Sequence, residues 1–216
     1  MEFFRVPMEI PFYSQRVDFD DVTLQGFKSI EDAKYWQERG CGIASVKMII
    51  DGFQRYRGLS PSEPYGKLVY RGLEMGAHCE RGWIHKGLVE LAKQYNLSGQ
   101  TFRLSNVCDI QIEIEKNRPC IASVSACFRG GKMNSRGEII QKGGHLVVVT
   151  GVVRKKGEMQ GFIVNHPSSY LDFNWENHFV RVEDFEKSFS GAFMSFWEGE
   201  ETLCAESQGV LLSGKI

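Results

Sequence analysis

A largely apolar segment runs from residue 41 to residue 53, CGIASVKMIIDGF. Ile43, Ala44, Val46, Met48, Ile49, Ile50 and Phe53 leave only Ser45, Lys47 and Asp51 as clear polar positions, so the segment reads as a helix that is apolar almost all round and lies inside a domain. Gly52 is its expected stop. A second helix is expected over YGKLVYRGLEM and a third over about 83–96, where Ile84, Leu88, Leu91, Ala92 and Tyr95 form one stripe. A fourth, over about 107–117, places Val107, Ile110 and Ile114 on one face. The polar stretch 16–38 allows a short helix over SIEDAKYWQE with Ser29 as its cap. The pattern then changes period. PCIASVSAC, 119–127, alternates with Cys120, Ala122, Val124 and Ala126 on one side, and 145–154, 161–167 and 191–199 are strand-like. RKKGEMQG makes a hairpin of the first two of those three, with Gly157 available for a positive φ. VEDFEKSF, 182–189, reads as a short helix, and EIPFYS, 9–14, as an extended segment that Pro11 confines to an edge or loop. Helices followed by an antiparallel sheet make an α+β fold, taken as one domain over 1–216 with a helical part of about 1–118 and a sheet part of about 119–216.

Composition narrows the classes. A chain of 216 residues with 42% hydrophobic residues builds a core without staples. Its formal net charge of −1 argues against nucleic acid, which needs a basic face. Apolar runs such as HLVVVTGVV are too short to enter and span a bilayer. MEFFRVPMEIPFYSQ lacks the features of a signal peptide, so a cytoplasmic location is expected unless a leader has been removed. The six cysteines, at 41, 79, 108, 120, 127 and 204, contain no CxxC and read mostly as small buried hydrophobes. No cofactor or metal is implied, and the oligomeric state stays open.

Cys41 stands apart from the other five. It lies between Gly40 and Gly42 at the start of the buried helix, where unpaired N–H groups and the helix dipole favour a thiolate. The glycines remove side chains beside the sulfur, which would let a substrate backbone approach; the plainer reading is a buried cysteine between turn glycines. A nucleophile needs a base. Of His78, His85, His145, His166 and His178, His145 opens an apolar strand after two glycines and is placed to face a cleft. His78 reads as a local or surface residue, His85 sits near the third helix start, and His178 lies in a polar stretch. The base in turn needs an orienting group. Asn165 and His166, at the end of the strand hairpinned to that of His145, are the candidates; as strand neighbours they face opposite sides and cannot both serve.

IPFYSQ, then CGIAS opening a buried helix, then GGHLVVVTG, then a strand ending in NHP, resembles the papain-like cysteine peptidases. It is most similar to the branch of the bacteriocin-processing, double-glycine leader peptidases and their stand-alone relatives. The likeness covers roughly residues 9–190, with 16–36 reading as an insertion and 54–82 matching nothing specific. It implies a papain-like fold and a thiol hydrolase that cleaves peptide amides through an acyl-enzyme. Cys41 would be the nucleophile and His145 the base and later the acid. Gln15 would donate to the oxyanion beside the Cys41 N–H, with Gln37 as the fallback. The family shows Asp immediately before the proline, where this chain has His166; Asn165, after a small local shift, is the preferred orienter and His166 the alternative. A peptide or protein is the implied substrate. A degenerate peptide-binding module on the same fold is the alternative, supported by the missing acid. A metal or redox role is a third reading that ligand spacing does not support. Specificity is expected to come from loops 16–38, 54–82 and 128–142. The last carries Arg129, Lys132, Arg136 and Lys142 and reads either as a flap over the cleft or as a plain solvated hairpin.

Overall fold

A computed structural model describes residues 1–128, 132–133, 135–136 and 139–199. Among the described residues six α-helices and an antiparallel main sheet make up the fold, in agreement with the α+β expectation. The helices are α1 (Ile30–Gln37), α2 (Cys41–Tyr56), α3 (Tyr65–Glu74), α4 (His85–Lys93), α5 (Val107–Glu115) and α6 (Val182–Ser188). The main sheet contains β1 (Glu2–Arg5), β4 (Leu97–Phe102), β5 (Cys120–Val124), β8 (His145–Lys155), β9 (Glu158–Pro167), β10 (Asn174–Arg181) and β11 (Phe193–Glu198). Its order is β10-β9-β8-β5-β11-β4, with β1 also paired to β8. Two short hairpins stand apart, β2 (His78–Cys79) with β3 (Gly82–Trp83) and β6 (Lys132–Met133) with β7 (Ile139–Gln141).

Helix α2 occupies the interior as its composition requires: every residue from Gly42 to Phe53 is buried. Each large aliphatic side chain so enclosed contributes about 1.5–3 kcal/mol. Its two charged positions inside the protein are paired. Lys47 Nζ lies 2.8 Å from Asp51 Oδ2 and donates to Ser62 Oγ and the Glu63 carbonyl, while Asp51 accepts the Ser62 N–H. Two charges that would be costly alone thus fasten the loop leading to α3. Gly52 is not the stop. The helix runs through it to Tyr56, and the glycine serves a close approach instead, since a Cβ there would lie 2.4 Å from Ile10 Cδ1.

The β8–β9 hairpin turns at Lys156 and Gly157, both at positive φ, as the tight turn between Lys155 and Glu158 demands. Ser29 caps α1 through the Asp32 N–H. Five of the strands escape the hydrophobic pattern. β1 is exposed along its whole length, β10 carries NWENHFVR, β4 carries LSGQTF, and β2 and β3 have two residues each. The division near residue 118 is therefore not strict, because β1 and β4 precede it and join the sheet. Among the described residues no helix is long and apolar enough to cross a membrane.

Candidate active site

The start of β8 extends beyond the end of its pairing with β9, which begins at Val148 opposite Asn165. On its other side Leu146 is paired with Ser123, whose own N–H and C=O go to Ala192 and Ser190. The polar backbone groups of Leu146 therefore face away from β5, and the N-terminus of α2 docks there. Ser45 Oγ donates to the Leu146 carbonyl at 3.2 Å, and the Leu146 N–H points to the Cys41 sulfur. This pair of backbone contacts sets the nucleophile candidate beside His145, one residue before Leu146. Cys41, Gly144, His145 and Leu146 line one cleft of about 470 Å³. Gly143 and Gly144, both at positive φ, turn the chain into the strand.

Burial sets the protonation states. The Cys41 thiol is pushed up by burial, against the pull of the N–H groups of Leu146, Gly42 and Cys41 itself. His145 is held well below its ordinary value by burial, with the His166 charge a second cause. Both groups therefore rest neutral at pH 7, as thiol and imidazole. The His145 ring is stacked on that of His166, with centroids 4.5 Å apart and planes 24° apart. His166 is fully buried, its Nε2 2.6 Å from the Ala126 carbonyl, and burial lowers it to about 4. Because a carbonyl only accepts, Nε2 carries the proton and Nδ1 presents a lone pair. Neither that Nδ1 nor His145 Nε2 finds a partner among the described residues.

Asn165 is not brought to His145. It lies opposite Val148, on the other face from His145 and His166, and its Oδ1 accepts the Asn177 N–H at 2.7 Å. Gln15 is buried. Its Nε2 donates to the Gln37 carbonyl at 2.7 Å, and Gln37 Oε1 takes the Val17 N–H, so the two glutamines interlock just before α2. Among the described residues the second Gln15 N–H and its Oε1 meet no partner, whereas the Gln37 carboxamide oxygen anchors the incoming chain. Ser14 and Arg16 bind the carbonyls of Ser168 and Ser169, just after the His166–Pro167 strand end. Residues 14–16 thus bridge the two halves of the site.

The flanking glycines do something other than clear a path. A Cβ on Gly42 would meet Trp83 Cγ at 2.6 Å, and one on Gly40 would meet the Tyr65 hydroxyl at 1.6 Å. Both are needed for internal packing around the sulfur. Trp83 and Tyr65 were not singled out by sequence, since a tryptophan in a two-residue strand and a tyrosine opening a helix carry no local signal. Trp83 Nε1 donates to the Arg39 carbonyl, and its ring packs with those of His78 and Trp36, so His78 is a cleft-wall residue. His85 also lines the cleft, and His178 is stacked on Trp175. Lys142 donates to the Glu186 carbonyl, while Arg129 lies outside the described residues. Cys41, Cys79, Cys108, Cys120 and Cys127 are free thiols, with only Cys120 fully buried; Cys204 lies outside the described residues. Among the described residues no group of three or more His, Cys, Asp and Glu is placed to hold a metal ion.

Comparison with known proteins bears on the fold and the family. No curated protein matches the chain. Among solved structures, it is similar to a C39-like peptidase candidate from Bacillus anthracis (TM-score 0.53, 16% identity, 90% of this chain and 97% of that one). It is likewise similar to a double-glycine-motif protease from an AMS/PCAT transporter, solved in complex with the leader peptide (TM-score 0.50, 16% identity, 90% of this chain and 94% of that one). At such identity the likeness shows the fold, the papain-like architecture of the C39 peptidase domains anticipated from CGIAS and GGHLVVVTG. The model of the Peptidase_C39 like family matches residues 8–192, and the chain therefore belongs to that family, which is of the cysteine-peptidase type.

Proposed function

We propose that the protein is a thiol peptidase that hydrolyses peptide amides at Cys41. The observation that carries the reading is the docking of the α2 N-terminus on Leu146, which sets the thiol and His145 on one cleft wall. His145 accepts the thiol proton as sulfur attacks the carbonyl carbon, and the carbonyl electron pair moves onto oxygen. The Cys41 N–H and the uncommitted Gln15 N–H donate to that oxyanion. On collapse, the amine leaves with the proton held by His145, and the acyl-thiol is then hydrolysed by a water that His145 deprotonates.

Because thiol and imidazole rest neutral, the proton moves during attack rather than beforehand. The orienting role goes to His166, whose ring stacks on His145 and is itself fixed by the Ala126 carbonyl. Asn165 supports the strand end by holding Asn177. A peptide is the substrate class, in keeping with the leader peptide bound to the transporter protease of the same fold.

A second reading is a peptide-binding module without turnover. It is favoured by the same burial that raises the Cys41 thiol and by a neutral imidazole where the family shows an acid. Digestion of a defined synthetic peptide mixture, followed by mass spectrometry, separates the two. Cleavage by the wild type that both Cys41→Ala and His145→Ala abolish, with fold intact by circular dichroism, supports the peptidase. Cleavage retained in Cys41→Ala refutes it, and peptide retention without cleavage by the wild type establishes the module.

A further inference from the structure

Tyr65 opens α3 within a segment that the family resemblance left without a role. Its position is tightly determined. Gly66 donates its N–H to the Gln25 carbonyl at 2.7 Å, the Tyr65 ring packs edge-on against Phe27, and the preceding loop is fastened by Lys47 and Asp51. These contacts drive the phenol inward until its oxygen occupies the space that a side chain at residue 40 would fill. Gly40 is the residue whose peptide carries the Cys41 N–H.

The hydroxyl is buried, and among the described residues no hydrogen-bond partner meets it. A buried hydroxyl without a partner is unfavourable for folding, so such a group invites an explanation in terms of what it meets during function. Burial, and secondarily a charge on Cys41, push the phenol far above its ordinary range, so it is a permanent donor at any working pH. It therefore combines an O–H that meets no partner among the described residues with a position against Gly40, the residue that precedes Cys41.

Resting on the thiol-peptidase reading, we propose that Tyr65 is a further catalytic residue whose hydroxyl donates a hydrogen bond to the oxyanion formed at Cys41, beside the Cys41 N–H and Gln15. As the Sγ–C bond forms, the carbonyl π pair becomes a lone pair on oxygen. The Tyr65 proton stays on its own oxygen and is shared only through the hydrogen bond. When the oxyanion collapses, the C=O bond re-forms and the leaving group departs with the proton from His145. A donor aimed at charge that exists only in the transition state raises turnover without tightening ground-state binding.

The test compares two reactions of Cys41 in the full-length protein. Acylation by p-nitrophenyl acetate passes through an oxyanion, whereas alkylation by iodoacetamide is a displacement at carbon that forms none. Tyr65→Phe keeps the ring and removes only the hydroxyl. It is expected to slow Cys41 acylation about 10-fold or more, within the range seen for loss of oxyanion donors. The alkylation rate and its pH profile should stay unchanged, with a thermal midpoint at or above that of the wild type.

Equal acylation rates in wild type and Tyr65→Phe overturn the proposal, as does a parallel fall of acylation and alkylation, which marks a structural role. A wild-type Cys41 that is no more reactive than the five other cysteines in both reactions overturns the thiol-peptidase reading and the proposal with it. A reactive Cys41 indifferent to Tyr65→Phe overturns the proposal alone.

Discussion

Replacing His166 by glutamine should flatten the acid sensitivity of the fold. In the folded protein His166 is lowered to about 4 by burial, while in the unfolded chain it returns to about 6.5. Between those values the unfolded state binds a proton that the folded state refuses, so stability rises with pH across the window. The contribution is present in full above about pH 6.5 and is lost as the pH falls towards and through about 4. The whole shift corresponds to about 3 kcal/mol, of which about 2 kcal/mol disappears between about pH 7 and about pH 5. Glutamine does not titrate, and its amide N–H can still donate to the Ala126 carbonyl that His166 now holds. Urea denaturation of both proteins at the two pH values gives the comparison. The wild type should lose about 2 kcal/mol more than His166→Gln on acidification, the acid sensitivity that burial gives His145 being common to both. A difference below about 0.5 kcal/mol, the usual scatter of such comparisons, would refute the claim that a buried neutral imidazole sits behind His145.

Other perturbations probe the same framework. Asn165→Ala leaves the Asn177 N–H without its acceptor and should lower stability by about 1–3 kcal/mol, while the rate of Cys41 alkylation is unchanged; a large loss of reactivity at unaltered stability would return the orienting role to Asn165. Gly42→Ala forces a methyl to within 2.6 Å of Trp83 Cγ and should cost about 1–3 kcal/mol, seen as a lower denaturation midpoint and altered tryptophan fluorescence, and an unchanged midpoint would contradict the close approach. Ser45→Ala removes the hydroxyl that ties α2 to the Leu146 carbonyl; a loss of about 1 kcal/mol is expected, together with slower alkylation of Cys41 as the helix start loosens from β8.

The linear pattern carried the fold class and the two candidate reacting residues because each leaves a local mark. An apolar helix with a cysteine between glycines, and an apolar strand opened by Gly-Gly-His, are readable wherever they lie in a chain. Alternation likewise exposed β5, β8, β9 and β11, whose side chains are largely buried. It missed β1, β4 and β10, where edge positions and solvent-facing side chains remove the period. What could not be read is every relation across the chain. The sequence reading preferred Asn165 to its neighbour His166, and only the register that sets Asn165 opposite Val148 shows that His166 is the one that shares a face with His145. The glycines around Cys41 suggested open space, whereas α3 and the β2–β3 hairpin bring Tyr65 and Trp83 into it from segments that look unremarkable in isolation. Residue type and period fix what a segment can do by itself. Which side chains meet, and what burial then does to their protons, depends on packing between segments far apart in the chain, and that belongs to the tertiary structure alone.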